Sequence, residues 1–225
     1  MRLTIGLLIA GIAASANAGT IFSNLDSADG FATSSGWVVG NRNTPFGSIR
    51  LEVAAAFTPA SDAVFTGADF AAELLGESGD LTIALTTTGP SGTPDTMLET
   101  FTVTAPAVPS LVSVQSIFNP VLAAGTEYWL DVSVPATAIW WLDNDQGVRG
   151  PVADNQNGLG FVVLSDFWGN PPIQPAFRVT GDSAAFSNTF AALADPPDAP
   201  EPSTLALLVV GFLSFSALRM IHKAR

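Results

Sequence analysis

Apolar and polar positions alternate in Asp80-Leu81-Thr82-Ile83-Ala84-Leu85-Thr86 and again in Glu127-Tyr128-Trp129-Leu130-Asp131-Val132-Ser133-Val134. A period of two puts successive side chains on opposite faces of a strand, so each stretch reads as a half-buried strand. Further short runs rich in Val, Ile, Phe, Thr and Trp occupy 47–57, 64–75, 98–104, 111–118, 139–143, 160–164 and 176–180, separated by Gly, Pro, Asn, Asp and Ser. Long helical periodicity is missing; only 68–75, with its alanines and Glu73, would also suit a helical stretch. Roughly nine strands with turns at short intervals predict an all-β fold over residues 19–182, a jelly-roll-like β-sandwich.

The two ends follow other patterns. Met1-Arg2, an apolar stretch and Ala16-Asn17-Ala18 have the charge, length and small-residue ending of a secretory signal peptide over residues 1–18, forming a signal helix cleaved after Ala18. Residues 183–199 are rich in Pro, Ala and Asp. Pro196, Pro197, Pro200 and Pro202 fix φ and remove amide donors, which predicts an extended spacer. From Leu205 to Leu218 only Gly211, Ser214 and Ser216 interrupt an apolar run. As a hydrophobic helix it would be roughly 21 Å long, short against a hydrocarbon slab of about 30 Å. Thr204 to Ile221 with a snorkelling Arg219 reaches about 27 Å, a marginal single-pass transmembrane span. Arg219, Lys223 and Arg225 follow the apolar run, a basic cluster that the positive-inside bias leaves in the cytoplasm with the body outside.

Charge narrows the partners. Between residues 19 and 203 stand all 20 carboxylates and only four cations, Arg42, Arg50, Arg149 and Arg178, a net charge of −16. That balance repels phosphate backbones and excludes nucleic-acid binding and polybasic docking to anionic lipid. The same region has no His, Cys or Lys. Serine–histidine and cysteine–histidine nucleophile systems, Schiff bases, disulfides and histidine- or thiolate-ligated metals are therefore excluded.

Pro200-Glu201-Pro202, the short apolar run and the basic ending, in that order, resemble the PEP-CTERM family of bacterial sorting signals over residues 200–225. The resemblance implies recognition by an exosortase, a membrane-embedded cysteine transpeptidase. It further implies processing near Pro200 to Pro202 and delivery to the envelope or extracellular polysaccharide matrix of a Gram-negative bacterium. The ending Arg-Met-Ile-His-Lys-Ala-Arg departs from the usual purer arginine cluster. Within the body, Thr33-Ser34-Ser35-Gly36-Trp37-Val38-Val39, Pro45-Phe46-Gly47-Ser48, Ala56-Phe57-Thr58-Pro59 and Leu122-Ala123-Ala124-Gly125-Thr126-Glu127-Tyr128-Trp129-Leu130 resemble the choice-of-anchor R domains. That group is defined by modular architecture and implies no activity.

Three remaining patterns bear on chemistry. Glu52, Glu73, Glu77, Glu99 and Glu127 are candidates for an acid pair in glycoside hydrolysis, but no Glu-x-Asp-x-x-Glu spacing occurs and each reads first as a solvated strand or turn residue. Among Trp37, Trp129, Trp140, Trp141 and Trp168, the adjacent Trp140 and Trp141 must face opposite sides of a strand, so one belongs to the core and the other is a candidate sugar contact. Asp143-Asn144-Asp145-Gln146-Gly147 begins like a calcium loop, with Asp143 and Asp145 as candidate ligands, yet it lacks the Gly at position 6 and the Glu at position 12. Turn chemistry is the preferred reading, and no cofactor is expected.

The sequence thus predicts an exported, non-enzymatic envelope or matrix protein, with transient exosortase and membrane contacts and exopolysaccharide as a further candidate partner. A carbohydrate-binding module is the first alternative and an acid-pair glycoside hydrolase the second. N-terminal sequencing of exported material should begin at Gly19; any other start refutes cleavage after Ala18.

Overall fold

A computed structural model describes residues 19–183 apart from 46, 77, 78, 136, 166 and 167. The described residues hold thirteen strands and no helix. These are β1 (Gly19–Ser23), β2 (Gly36–Thr44), β3 (Gly47–Phe57), β4 (Ala63–Leu74), β5 (Asp80–Thr88), β6 (Pro94–Thr104), β7 (Ser110–Gln115), β8 (Val121–Leu122), β9 (Tyr128–Ser133), β10 (Ala138–Leu142), β11 (Val152–Gln156), β12 (Phe161–Val163) and β13 (Phe177–Ser183). All pairings are antiparallel. One hydrogen-bonded path runs β1-β13-β4-β10-β2-β3-β9-β5-β6, with β11 added beside β3 and β12 beside β11, and β7 and β8 beside β4.

Two long strands organise this path by changing partners along their length. β3 pairs with β2 through residues 47–51 and with β9 through residues 53–57, while β11 pairs with residues 51–55. β4 does the same, pairing with β13 through residues 63–70 and with β10 through residues 72–74. β7 and β8 also lie against β4. With partners on both edges, residues 68–74 satisfy their backbone groups as strand, which settles the helix alternative. Their alanines suit the place: Ala71 and Ala72 are both fully buried, in two different apolar clusters.

The main core draws on strands far apart in the path. Phe177 of β13 stacks on Phe22 of β1 (4.9 Å between centroids) and meets Phe57 of β3 (6.3 Å) and Trp141 of β10 (6.0 Å). Phe65 of β4 reaches Phe101 of β6 at 6.2 Å, although five strands separate β4 and β6 in the path. Leu81, Ile83, Leu85, Leu130, Val132 and Ile139 fill the space between and are fully buried. A second apolar cluster, Ala54, Ala56, Trp129 and Ala153, with Phe161 packed on it, buries the opposite face of β3 and β9. The expectation of a half-buried β9 is thereby corrected: Trp129 lies on the face read as exposed and has no solvent exposure.

Glu99 corrects another expectation. It is buried and accepts hydrogen bonds from Ser116 Oγ (2.5 Å), Ile117 N (2.6 Å) and Phe118 N (3.1 Å). A carboxylate expected in solvent instead bolts the loop after β7 onto β6, and charge-assisted acceptors suit such backbone donors. Arg178 plays a similar part on β13, with Nε donating to Asp69 Oδ2 at 2.8 Å and Nη1 to Asp29 Oδ1 at 2.6 Å.

Because Phe177 touches three other rings with no exposure, Phe177→Ala should lower unfolding stability by about 3–5 kcal/mol. Urea denaturation followed by tryptophan fluorescence measures this, and a loss under about 1 kcal/mol would contradict the placement of Phe177 at the centre of the core.

Candidate functional site

One end of the core is closed by two segments rather than by strands, and the depression they leave is the candidate site. The chain leaves β10 at Leu142 and forms a bridge from Asp143 to Pro175, then a second from Arg149 to Ile173. Asn144, buried, holds the intervening turn: its Oδ1 accepts from Val148 N at 2.7 Å, and its Nδ2 donates to Val148 O at 2.9 Å and Gln174 O at 2.7 Å. Gln174, equally buried, donates from Nε2 to Ala56 O at 2.7 Å, tying the closure to β3. Buried amides satisfied on this scale fix a loop in place.

The depression has a volume of about 400 Å³ and is lined by Gly36, Trp37, Asp143, Arg149, Pro172 and Ile173. Trp37 is half-buried on β2, opposite Trp141, and its Nε1 donates to Ile173 O at 3.2 Å, so the indole is held at one edge. Gly36 is a close approach: a Cβ there would stand 2.7 Å from Trp141 O and 2.9 Å from Leu142 Cα. Arg149 is exposed and donates from Nη1 to Pro171 O at 2.8 Å. The Asp143 carboxyl is pushed above the ordinary carboxylate value by burial, opposed in part by a hydrogen bond with Ser35. A second depression of about 240 Å³, reaching Phe22, Phe57, Glu127 and Gln174, shares Arg149 with the first. An aromatic ring, a carboxyl and a guanidinium on a braced frame can bind a small polar ligand.

Of the adjacent tryptophans one belongs to the core and the other is part-exposed, as their alternation on the strand implies. Trp141 is fully buried and donates to Ala176 O at 3.2 Å, so it offers no face to a ligand. Trp140 is half-buried against the cluster of Leu25, Ala71, Leu142 and Ala176. The ring that lines the depression is Trp37, which nothing in its local sequence singles out. The Asp143-to-Gly147 stretch is organised by Asn144, and Asp145 accepts from Gln146 Nε2 at 2.8 Å. Among the described residues no group of three His, Cys, Asp or Glu is placed to hold a metal ion. Ala18, Pro200, Glu201, Pro202, Leu205, Leu218, Arg219, Lys223 and Arg225 lie outside the described residues, as does Glu77.

Asp131 went unremarked in the sequence. It lies on the Trp129 face of β9, between Ala54 of β3 and Ala84 of β5, with its Oδ1 shielded from solvent and without a hydrogen-bond partner. Burial, with the Glu52 carboxylate adding to it, raises its pKa from 3.8 to about 7. The signal was Val53-Ala54-Ala55-Ala56, a strand run with no polar alternation, which marks burial on both faces.

Compared with protein-family models, with curated proteins and with solved structures, the chain finds no match. Among the described residues no helix is long and apolar enough to cross a membrane.

Since the folded pKa of Asp131 lies above the ordinary value, the folded state holds this proton more tightly than the unfolded chain. Its share of stability is then full below about pH 4 and lost as pH rises through about 7. Asp131→Asn should raise Tm over the wild type by roughly 5 °C or more at pH 8 and by much less at pH 4.5, measured by calorimetry. An equal effect at both pH values would contradict the assignment.

Proposed function

We propose that this chain is an exported, non-enzymatic protein of the cell envelope or extracellular matrix of a Gram-negative bacterium, an exosortase substrate sorted by residues 200–225. The observation that carries the reading is the order of parts: a signal-peptide pattern, an acidic β-domain, a proline-rich spacer, Pro200-Glu201-Pro202, an apolar run from Leu205 to Leu218, and a terminal basic cluster. Each part has a physical task, namely export, display, spacing, recognition and temporary retention in the membrane before processing. The body supports a display role, since its acidic surface favours solubility. We also read the thirteen-stranded path as a jelly-roll-like sandwich, on the support of Phe65 meeting Phe101 and Phe57 meeting Phe177 across strands distant in the path.

One observation favours a second reading, a carbohydrate-binding module: the depression holding Trp37, Asp143 and Arg149. An acid-pair hydrolase has less behind it. The carboxyl whose pKa is raised to about 7, Asp131, stands mid-strand between β3 and β5 and lines neither depression.

Intact-mass spectrometry of the protein from wild-type cells and from cells lacking the exosortase tests the sorting reading. The wild-type mass should lack residues 1–18 and the tail beyond the Pro200–Pro202 region, while the exosortase-deficient cells should yield protein that keeps its tail. A tail retained in both overturns the proposal in favour of simple anchoring.

A further inference from the structure

We infer that the depression at the end of the core binds an uncharged pyranose residue of a glycan chain, stacked on Trp37 with its hydroxyls bonded to Asp143 and Arg149. The inference deepens the carbohydrate-binding reading and rests on it.

Size and shape come first. A volume of about 400 Å³ lies within the range of small-ligand sites, which is roughly 300–1,000 Å³. Aromatic rings cover the apolar faces of sugar rings, and an indole fixed before binding loses little entropy when a ligand arrives. Trp37 meets that condition: its backbone pairs with β10, and its Nε1 is bonded to Ile173 O.

The polar walls are set as firmly. Asp143 N donates to Ser35 O at 3.1 Å, and Asp143 O accepts from Ala32 N at 2.9 Å, so the backbone carrying the carboxyl is pinned on both sides. Arg149 sits in the bridge to Ile173, with Gly150 N donating to Pro172 O at 3.2 Å beyond it. A carboxyl accepts from hydroxyls and a guanidinium donates to them, so neighbouring sugar hydroxyls find both kinds of partner in one cleft.

Charge selects the class of sugar. Asp143 and Arg149 are of opposite sign, which leaves the cleft without the surplus positive charge a uronate or sulfated residue needs. Around it the region from 19 to 203 carries a net charge of −16, and that field repels an anionic chain approaching from solution. An uncharged residue escapes both objections, and its binding should depend little on salt.

The test uses the processed protein recovered from producing cells, titrated calorimetrically with cellohexaose, mannohexaose, maltohexaose and an oligogalacturonate. At least one neutral hexaose should bind, with affinity changing less than about twofold between 50 mM and 500 mM salt. Arg149→Gln and Trp37→Ala should each weaken it by roughly tenfold or more, whereas Trp168→Ala should leave it unchanged. Thermal unfolding of each variant identifies a folding defect, and the exposed Arg149 keeps the test open if Trp37→Ala does not fold. Binding of the oligogalacturonate alone overturns the neutral class and spares the carbohydrate reading. Neutral binding that survives both substitutions moves the site elsewhere and overturns this placement. No binding to any of the four overturns both readings, and the sorting proposal stands apart from all these outcomes.

Discussion

Phe177, Phe57, Trp141 and Phe22 meet in one cluster although they come from β13, β3, β10 and β1. Without cysteine, burial of these rings and the aliphatic side chains around them is what brings distant strands of the path together. Backbone pairing alone would allow a flat ribbon, because each antiparallel ladder is satisfied by its immediate neighbours. Contacts such as Phe65 with Phe101 make the sheet bend until its distant strands touch. β3 and β4 can take part because they change partners midway and so belong to two neighbourhoods at once.

Burial on both faces of β3 and β9 has a chemical consequence. A strand packed on both sides has few inexpensive places for a carboxyl, and Asp131, half-buried beside Trp129, keeps its Oδ1 shielded and unpartnered. Its raised pKa follows from the same enclosure that hides Trp129. At the end of the core the constraint acts in reverse. Strands stop there, apolar side chains would face water, and the segments around Asn144 and Gln174 close the gap by bonding buried amides to backbone. A closure made of loops leaves room where a closure made of strands would not, which is why the depression lies beside Trp37 rather than over the sheet.

Much of the fold was legible because strand patterns are local. The alternation in Asp80 to Thr86 lies within β5, and 47–57 coincides with β3. Four strands escaped notice, and each is made by its neighbours. β2 begins with Gly36 and ends in Asn-Arg-Asn-Thr, and it holds because β10 and β3 flank it. β11, Val-Ala-Asp-Asn-Gln, reads as a turn; it is a strand because β3 offers an edge and Asn155 donates to Glu52 Oε2 at 2.8 Å. β1 and β8 are short edge pieces on β13 and β4. The site was less legible still. Trp37 and Trp141 differ by nothing in local sequence that tells which one will stand at the edge of a depression, and Asp143 and Arg149 come to line it together through bridges to Pro175 and Ile173.

The few cations show how the acidic body is arranged. Arg178 joins Asp29 to Asp69 and so fastens the loop after β1 to β13 and β4. Arg50 lies 3.5 Å from Glu52, the carboxylate that bears on Asp131. Arg149 lines both depressions, exposed, with its Nη1 donating to Pro171 O. Surface ion pairs contribute little to stability, so an arginine in a mouth adds little to the fold by charge alone. In a region with 20 carboxylates and four arginines, a guanidinium placed there makes a local patch of donors within an otherwise repulsive field. One guanidinium in such a field is too little positive charge to attract a polyanion.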